Sequence, residues 1–270
     1  MQISQPSMSP KPFIHQPIVF EQLPEPVFYL SRTMPCDTIY PPHIHRWGEF
    51  VYSFCGVLEL QAEGSLFRVP PNYGLWLPPE TEHKGLNRHA SIHCSLYIEP
   101  DLAAYKGLPT VTCALTINAM VRAMLNHLCL QPPQTPYTAD ESRLLEVIVD
   151  QLAVAPCAGS YLPTSDDPAL SKVLAYLEDH PGNNSPVRQL AERFGTTERT
   201  LARKAQRDLG MPLSEWRQRL KVVQAMPMLQ AGATVESVAL DLGYSTASAF
   251  IAMFRRLLEM TPDEYRKNAE

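Results

Sequence analysis

No apolar run in this chain approaches the ~18 residues of a membrane span, so nothing in it reads as a spanning helix. A basic-then-apolar leader is also missing. Met1 to Pro17 are rich in Pro, Ser and Gln, which speaks against secretion and predicts a frayed segment. The six cysteines (Cys36, Cys55, Cys94, Cys113, Cys129 and Cys157) include no CxxC pair. They read as reduced thiols of a cytoplasmic protein rather than a disulfide frame. An overall basic surplus is lacking too, since the formal net charge is -5.

What is present is enough for a folded core. The chain has 270 residues, 45% of them hydrophobic and 19% charged, and its length suggests about two domains. The charge is uneven. Residues 1–165 hold 9 Lys and Arg against 14 Asp and Glu, whereas residues 188–221 hold 9 against 4. Such a local basic stripe suits a surface that faces phosphate; a solvated helix face is the alternative.

The two halves differ in period. From about Val27 to Ile98, short runs rich in β-branched and aromatic residues (Phe50–Phe54, Val57–Leu60, Gly74–Leu77, Ile92–Ile98) alternate with Pro and Gly, which predicts a β-sandwich or barrel. Past Leu115 the period becomes helical, with helices predicted over Thr116–Leu130 and Ala139–Val154. Pro156–Pro168 reads as a linker, and everything from Ala169 on as helices. Ser185 followed by Pro186 predicts a capped helix start, and Thr234 another. Pro227 falls inside a long predicted helix and should kink it.

The helical half repeats itself. Leu190-Ala191-Glu192-Arg193-Phe194-Gly195 and Val238-Ala239-Leu240-Asp241-Leu242-Gly243 share the pattern apolar-Ala-x-x-apolar-Gly at an offset of 48. Each is followed by a hydroxyl-rich turn and a second helix. A small Ala lets two helices cross closely, and Gly takes the positive-φ position of the turn. The hydroxyl residue caps a helix able to enter a major groove. Two such copies, joined by one helix of about twenty residues from Pro212 to Gln230, read as paired helix-turn-helix motifs.

On these residues, together with Ala249–Arg256 and Thr261-Pro262-Asp263-Glu264-Tyr265-Arg266, the chain resembles the AraC/XylS family of bacterial transcription regulators over about Ala169 to Arg266. Glu259 departs from the family, which commonly has Gly there; the first copy keeps Gly210. Arg199, Thr200, Arg203 and Lys204 are the exposed candidates early in the first recognition helix, and the resemblance puts Arg199, Ala202 and Arg203 where base contacts are made. Arg207 and Arg255 suit phosphate. The second recognition helix offers Thr246, Ala247, Ser248, Ile251 and Ala252, small or apolar residues suited to thymine methyls or hydroxyl contacts. This predicts an uneven reader, the first motif discriminating bases and the second docking.

A second constellation lies in the β half. His43-x-His45, then Glu49, then His83 from a separate strand could aim three imidazoles and a carboxylate at one point, a donor set for Zn, Ni, Mn or non-haem Fe. The two stretches resemble the paired motifs of the cupin superfamily over roughly residues 25–100, with Glu80 in place of a usual Gly and Gly74 displaced. The resemblance implies a cupin barrel with His43, His45, Glu49 and His83 as ligands. A barrel without metal, its polar residues merely hydrogen-bonded, is the alternative. His93 reads as a satisfied core histidine, with polar lining of the barrel beside Cys94 as the alternative; Cys55 reads as a small buried hydrophobe rather than a soft ligand or redox thiol, and Trp47, Trp76 and Tyr52 as core rather than walls for an apolar effector.

The expected architecture is multidomain α and β. A cupin-like sensory β-barrel spans 1–115, a helical linker or dimerisation segment 116–156, a linker 157–168, and an all-α DNA-binding domain with two helix-turn-helix motifs 169–270. The resulting expectation is a cytoplasmic, sequence-specific transcriptional regulator without catalytic residues. Its expected partners are a double-stranded DNA operator, a metal or small-molecule effector and a second copy of the chain, with RNA polymerase as a further candidate. The rival reading is a metal-dependent cupin enzyme, dioxygenase- or isomerase-like, with an attached helical domain.

Overall fold

Two five-stranded sheets make up the first half of the chain in a computed structural model that describes residues 13–16, 20–88 and 90–269. The strands are β1 (Phe13–Ile14), β2 (Val27–Met34), β3 (Thr38–His43), β4 (Gly48–Ser53), β5 (Leu58–Ala62), β6 (Ser65–Val69), β7 (Tyr73–Leu77), β8 (His83–Asn87) and β9 (Ser91–Ile98). After α1 (Pro100–Lys106) comes β10 (Cys113–Thr116). One sheet runs β1-β3-β8-β5-β6 and the other β10-β7-β4-β9-β2. All these pairings are antiparallel except β1 with β3.

The barrel implied by the cupin resemblance is thus a pair of separately hydrogen-bonded sheets, with no closed barrel among the described residues. Proline gives a physical reason. Pro35 and Pro70-Pro71 stand where the chain passes from one sheet to the other, and they cannot donate to a continuing ladder. Most of Met1–Pro17 lies outside the described residues, but Phe13 and Ile14 pair with Thr38 and Ile39, so that part is not frayed.

The period-2 alternation of strands decides what faces what. On β4, Phe50 and Tyr52 join an apolar cluster with α2 (Ala119–Leu130) and α3 (Ala139–Ala153), while Glu49, Val51 and Ser53 face a cavity between the sheets. On β9, Cys94, Leu96 and Ile98 join the same cluster, while Ser91, His93, Ser95 and Tyr97 line the cavity. Val51, Leu60, Phe67, Val69, Leu75 and Leu77 form a separate inter-sheet core. The helix predicted from Thr116 starts at Ala119, because Thr116 still pairs with Tyr73 and the Asn118 side chain caps the helix by accepting from the Val121 N–H.

The second half is helical: α4 (Pro168–Asp179), α5 (Val187–Arg193), α6 (Glu198–Leu209), α7 (Leu213–Gln230), α8 (Val235–Asp241), α9 (Ala247–Leu258) and α10 (Pro262–Ala269). It has two cores that share α7. Trp216, Leu220 and Val223 belong to one with α4, α5 and α6; Val222, Ala225, Met226 and Leu229 belong to the other with α8 and α9. α7 continues through Pro227 as one helix and closes with the Ala231 N–H on the Pro227 carbonyl.

Both predicted turns have the expected geometry. Ala191 and Ala239 are fully buried, and Gly195 and Gly243 take φ of +67° and +78°. Thr197, Thr234 and Thr246 cap their helices. Ser185 does not: α5 begins at Val187 without a side-chain cap, and the Ser185 N–H donates to Asn183 Oδ1. Glu259 occupies the left-handed position that Gly210 takes in the first copy, with φ of +60° against +69°.

The two halves of the chain are joined by specific contacts. The Gly56 N–H, in the β4–β5 turn, donates to the Tyr265 hydroxyl at 2.9 Å. Asn72 Nδ2 donates to the Leu257 carbonyl at 2.9 Å, and Arg68 pairs with Glu178 at 2.6 Å. Val57 lines the inter-sheet cavity and also packs against both helical cores.

Candidate functional site

The four residues read as ligands come from four different places. His43 ends β3 and faces His83, its register partner on β8. Glu49 lies on β4 in the opposite sheet, and His45 in the connection between β3 and β4. One ligand atom from each of the four falls within 4.8 Å of the others. Strand alternation predicts His43 and His45 on one face of a strand; the strand instead stops between them, and exposed Ile44 marks the break. Glu80 adopts φ of +61°, so it takes the conformation usually left to Gly, and its N–H donates to the His45 carbonyl at 2.9 Å.

The outward nitrogens carry the most information. His43 Nδ1 lies 2.9 Å from the Pro41 carbonyl, His45 Nδ1 2.8 Å from that of Trp47, and His83 Nδ1 2.9 Å from that of Thr81. A carbonyl can only accept, so each Nδ1 carries a proton; the Nε2 then offers a lone pair inward when the ring is neutral and an N–H when it is protonated. His45 Nε2 is 3.1 Å and His83 Nε2 3.3 Å from the same Glu49 oxygen, Oε2. Lone pairs facing a carboxylate repel unless a cation lies among them: a proton on the ring or a metal ion.

The electrostatics express this. Burial alone would raise the Glu49 carboxyl, but the hydrogen bonds and charges of His45 and His83 hold it well below the usual range. Burial opposes charge on His83, yet Glu49 draws its pKa upward. Burial and the neighbouring His83 push His43 down. Three imidazole nitrogens with one carboxylate, each ring oriented by a backbone carbonyl, match the donor chemistry and outer-shell pattern of Zn, Ni, Mn or Fe sites.

Around this cluster the cavity measures about 70 Å³, room for several waters or one small organic molecule. His93, read from sequence as a core histidine, lines it and bonds Tyr40 Oη through Nε2 at 2.7 Å. Arg32 on β2 also lines it; sequence reading missed this residue. The signal was available, since Arg32 has the opposite strand parity to Val27 and Tyr29, which face the helices. Trp76 and Tyr52 are core as expected, and Trp47 and Cys55 are buried.

On the helical half, Arg199, Ala202 and Arg203 are exposed on α6, and Thr200 is half-buried next to the cap. Lys204, expected among the free groove-facing groups, is instead held by Asp167 at 2.7 Å. Asp167 also caps α4, so two cationic ends converge on it. Arg207 is exposed but pairs with Asp208. On α9, Ser248, Ile251, Ala252, Arg255 and Arg256 line one shallow groove. Thr246 spends its hydroxyl on the Ala249 N–H, and Ala247 is half-buried against the core.

The angle between the two heads is fixed by a close approach. A Cβ on Gly243 would lie 2.2 Å from the Gly182 carbonyl oxygen, and one on Gly182 2.6 Å from that of Asp241. Asn184 Nδ2 donates to the Gly243 carbonyl. Buried Lys221 donates to Asn184 Oδ1 at 2.7 Å and sits over the Tyr244 ring at 4.7 Å. Burial and nearby Arg217 lower the Lys221 pKa to about 8.

Comparison with known proteins agrees with both halves. Residues 25–145 match the family described as AraC-like ligand binding domain, and residues 190–268 the helix-turn-helix domain family. The HTH-type transcriptional regulator NimR of Escherichia coli (strain K12) is 32% identical over 225 residues, which is 83% of this chain and 81% of that protein. The HTH-type transcriptional activator RhaS of Escherichia fergusonii is 29% identical over 128 residues, 46% of each chain. Among solved structures, ToxT from Vibrio cholerae aligns over 91% of this chain and 99% of its own at 10% identity, with a TM-score of 0.39.

Proposed function

The chain belongs to the AraC family of DNA-binding transcriptional regulators with a ligand-binding domain, and from that premise we propose that its sensory half holds a divalent transition metal on His43, His45, Glu49 and His83. One observation carries this reading: the three imidazoles each donate Nδ1–H to a backbone carbonyl, the Nε2 atoms of His45 and His83 meet the same Glu49 oxygen, and a ligand atom of His43 lies within 4.8 Å of the rest. The bound ion would supply a Lewis-acidic position in the cavity, facing a metal or small-molecule effector.

DNA is bound by the helical half. In this reading Arg199, Ala202 and Arg203 contact bases, Thr200 lies beside them, and Arg207 and Arg255 face phosphate. Lys204 positions α6 against α4 through Asp167 rather than reading bases. Thr246, Ala247, Ser248, Ile251 and Ala252 dock the second head. The sensory unit is residues 1–115, with 116–156 as a dimerisation segment that presents Met120 and Val147 to a second copy. Residues 157–168 connect to the DNA-binding unit, 169–270.

Val57 and Gly56 give occupancy a mechanical route. Val57 sits between the cavity and both helical cores and Gly56 bonds Tyr265, so a shift of the β4–β5 turn biases the heads. The test is selection of bound fragments from a random DNA pool by the full chain, with and without chelator, beside metal analysis of protein purified without added metal. An enriched sequence whose affinity changes on chelation, with about one metal per chain, is expected. No enrichment over competitor at moderate salt sinks the DNA reading, and a metal-free protein indifferent to chelator sinks the sensor.

A further inference from the structure

The cavity contains a positive charge that the metal centre does not use. Arg32 projects into it from β2, where it pairs in register with His93 of β9. Its side-chain hydrogen bonds among the described residues go to His15, a ring that burial and the Arg32 charge keep from protonating. Two carboxylates line the cavity. Glu49 belongs to the imidazole cluster, and Glu59 is paired with Arg88 at 3.0 Å. Neither neutralises Arg32 at ion-pair distance.

A divalent ion on the cluster, together with Arg32, would outweigh Glu49 by two charges in a small cavity. Part-buried charge of one sign calls for a counter-ion. The groups beside Arg32 are polar but uncharged. Burial keeps Tyr40 protonated and His93 neutral, so the Tyr40–His93 pair can donate to an anion without competing for it. The planar guanidinium presents parallel N–H donors, a match for a carboxylate.

On the metal reading above, we infer that the cavity binds a small organic carboxylate, its acid group on Arg32 beside Tyr40 and His93 and its other end toward the metal centre. The volume suits a molecule about the size of several waters. A neutral polar ligand would leave Arg32 without a counter-ion.

The zinc-loaded full chain is titrated by calorimetry with acetate, pyruvate, malonate and succinate, with acetamide and succinamide as neutral analogues, and with phosphate. At least one carboxylate is expected to bind at one site per chain, and the amides to give no heat. Arg32→Gln should weaken that carboxylate by about tenfold or more while zinc content and melting temperature stay unchanged. Arg32→Lys, which keeps the charge, should restore part of the affinity and covers the case in which Arg32→Gln misfolds. Wild-type affinity in Arg32→Gln, equal binding of amides or phosphate, or no binding by any carboxylate would overturn the inference. Failure of the metal reading shows separately as zinc far below one per chain. In that event, carboxylate binding lost in Arg32→Gln still upholds the Arg32 subsite, and its absence rejects it.

Discussion

The backbone N–H of Gly56 donates to the hydroxyl of Tyr265, 209 residues away in sequence. The donor lies in the turn between two cavity-lining strands and the acceptor on the last helix, packed against the second reading head. One hydrogen bond thus spans the junction between the sheet half and the helical half of the chain.

Tyr265→Phe leaves the Gly56 N–H buried without its acceptor. It should destabilise the chain by about 1–3 kcal/mol, read by urea unfolding. Because Tyr265 is buried, affinity in the absence of metal should stay near wild type, while the response to metal should shrink. A variant that keeps both full stability and the full metal response would show that the junction does not couple the two halves.

The two heads should fail differently. Arg203→Ala should cost about 1–3 kcal/mol in binding to a selected site, with relaxed preference at one position, and Arg199→Ala should behave alike. Ser248→Ala should have a smaller effect. Arg255→Ala should weaken all sequences alike and reduce the salt slope by about 1. Quantitative gel shifts at several salt concentrations separate these outcomes; intact affinity in Arg203→Ala alongside abolished binding in Ser248→Ala would reverse the order of the heads.

Glu259 holds a left-handed conformation that costs a residue with a Cβ about 1 kcal/mol relative to glycine. Glu259→Gly should therefore raise stability by about that amount without altering DNA binding. Differential scanning calorimetry checks this, and a lower melting temperature would mean that the Glu259 side chain makes a compensating contact.

His93 should make the fold sensitive to acid. Burial lowers its pKa to about 4, below the ordinary histidine value, so the unfolded chain binds the proton more readily between those two limits. The stability from the neutral ring is full above pH ~6.5 and is lost as pH falls toward 4. Partial exposure of the ring to the cavity trims the effect to about 2 kcal/mol. Urea unfolding at pH 7.5 and pH 5 should show a smaller pH difference in His93→Asn than in wild type. Equal differences would place the acid sensitivity elsewhere.

Much of this is legible in the sequence. The 48-residue repeat predicted both turns, since burial of Ala191 and Ala239 and the positive φ of Gly195 and Gly243 follow from local chemistry. His43, His45, Glu49 and His83 were legible from spacing, but the path that joins them was not, because the β3–β4 break at Ile44 moves His45 off its strand. For Arg32, strand parity shows only that it points away from the helices; the pairing of β2 with β9 is what puts it opposite His93. The ion pair of Lys204 is illegible in the sequence for a similar reason. Its partner Asp167 lies 37 residues away, and helical periodicity says nothing about such a contact.

The interlock of Gly182 with Gly243 makes the helical half a fixed calliper rather than two tethered probes. If both α6 and α9 engage one face of a duplex, their targets must lie about one helical repeat apart. Half a repeat of added base pairs would carry the second target to the far side, where this rigid frame cannot follow. A genome is then searched by the phase between two short words as much as by their letters.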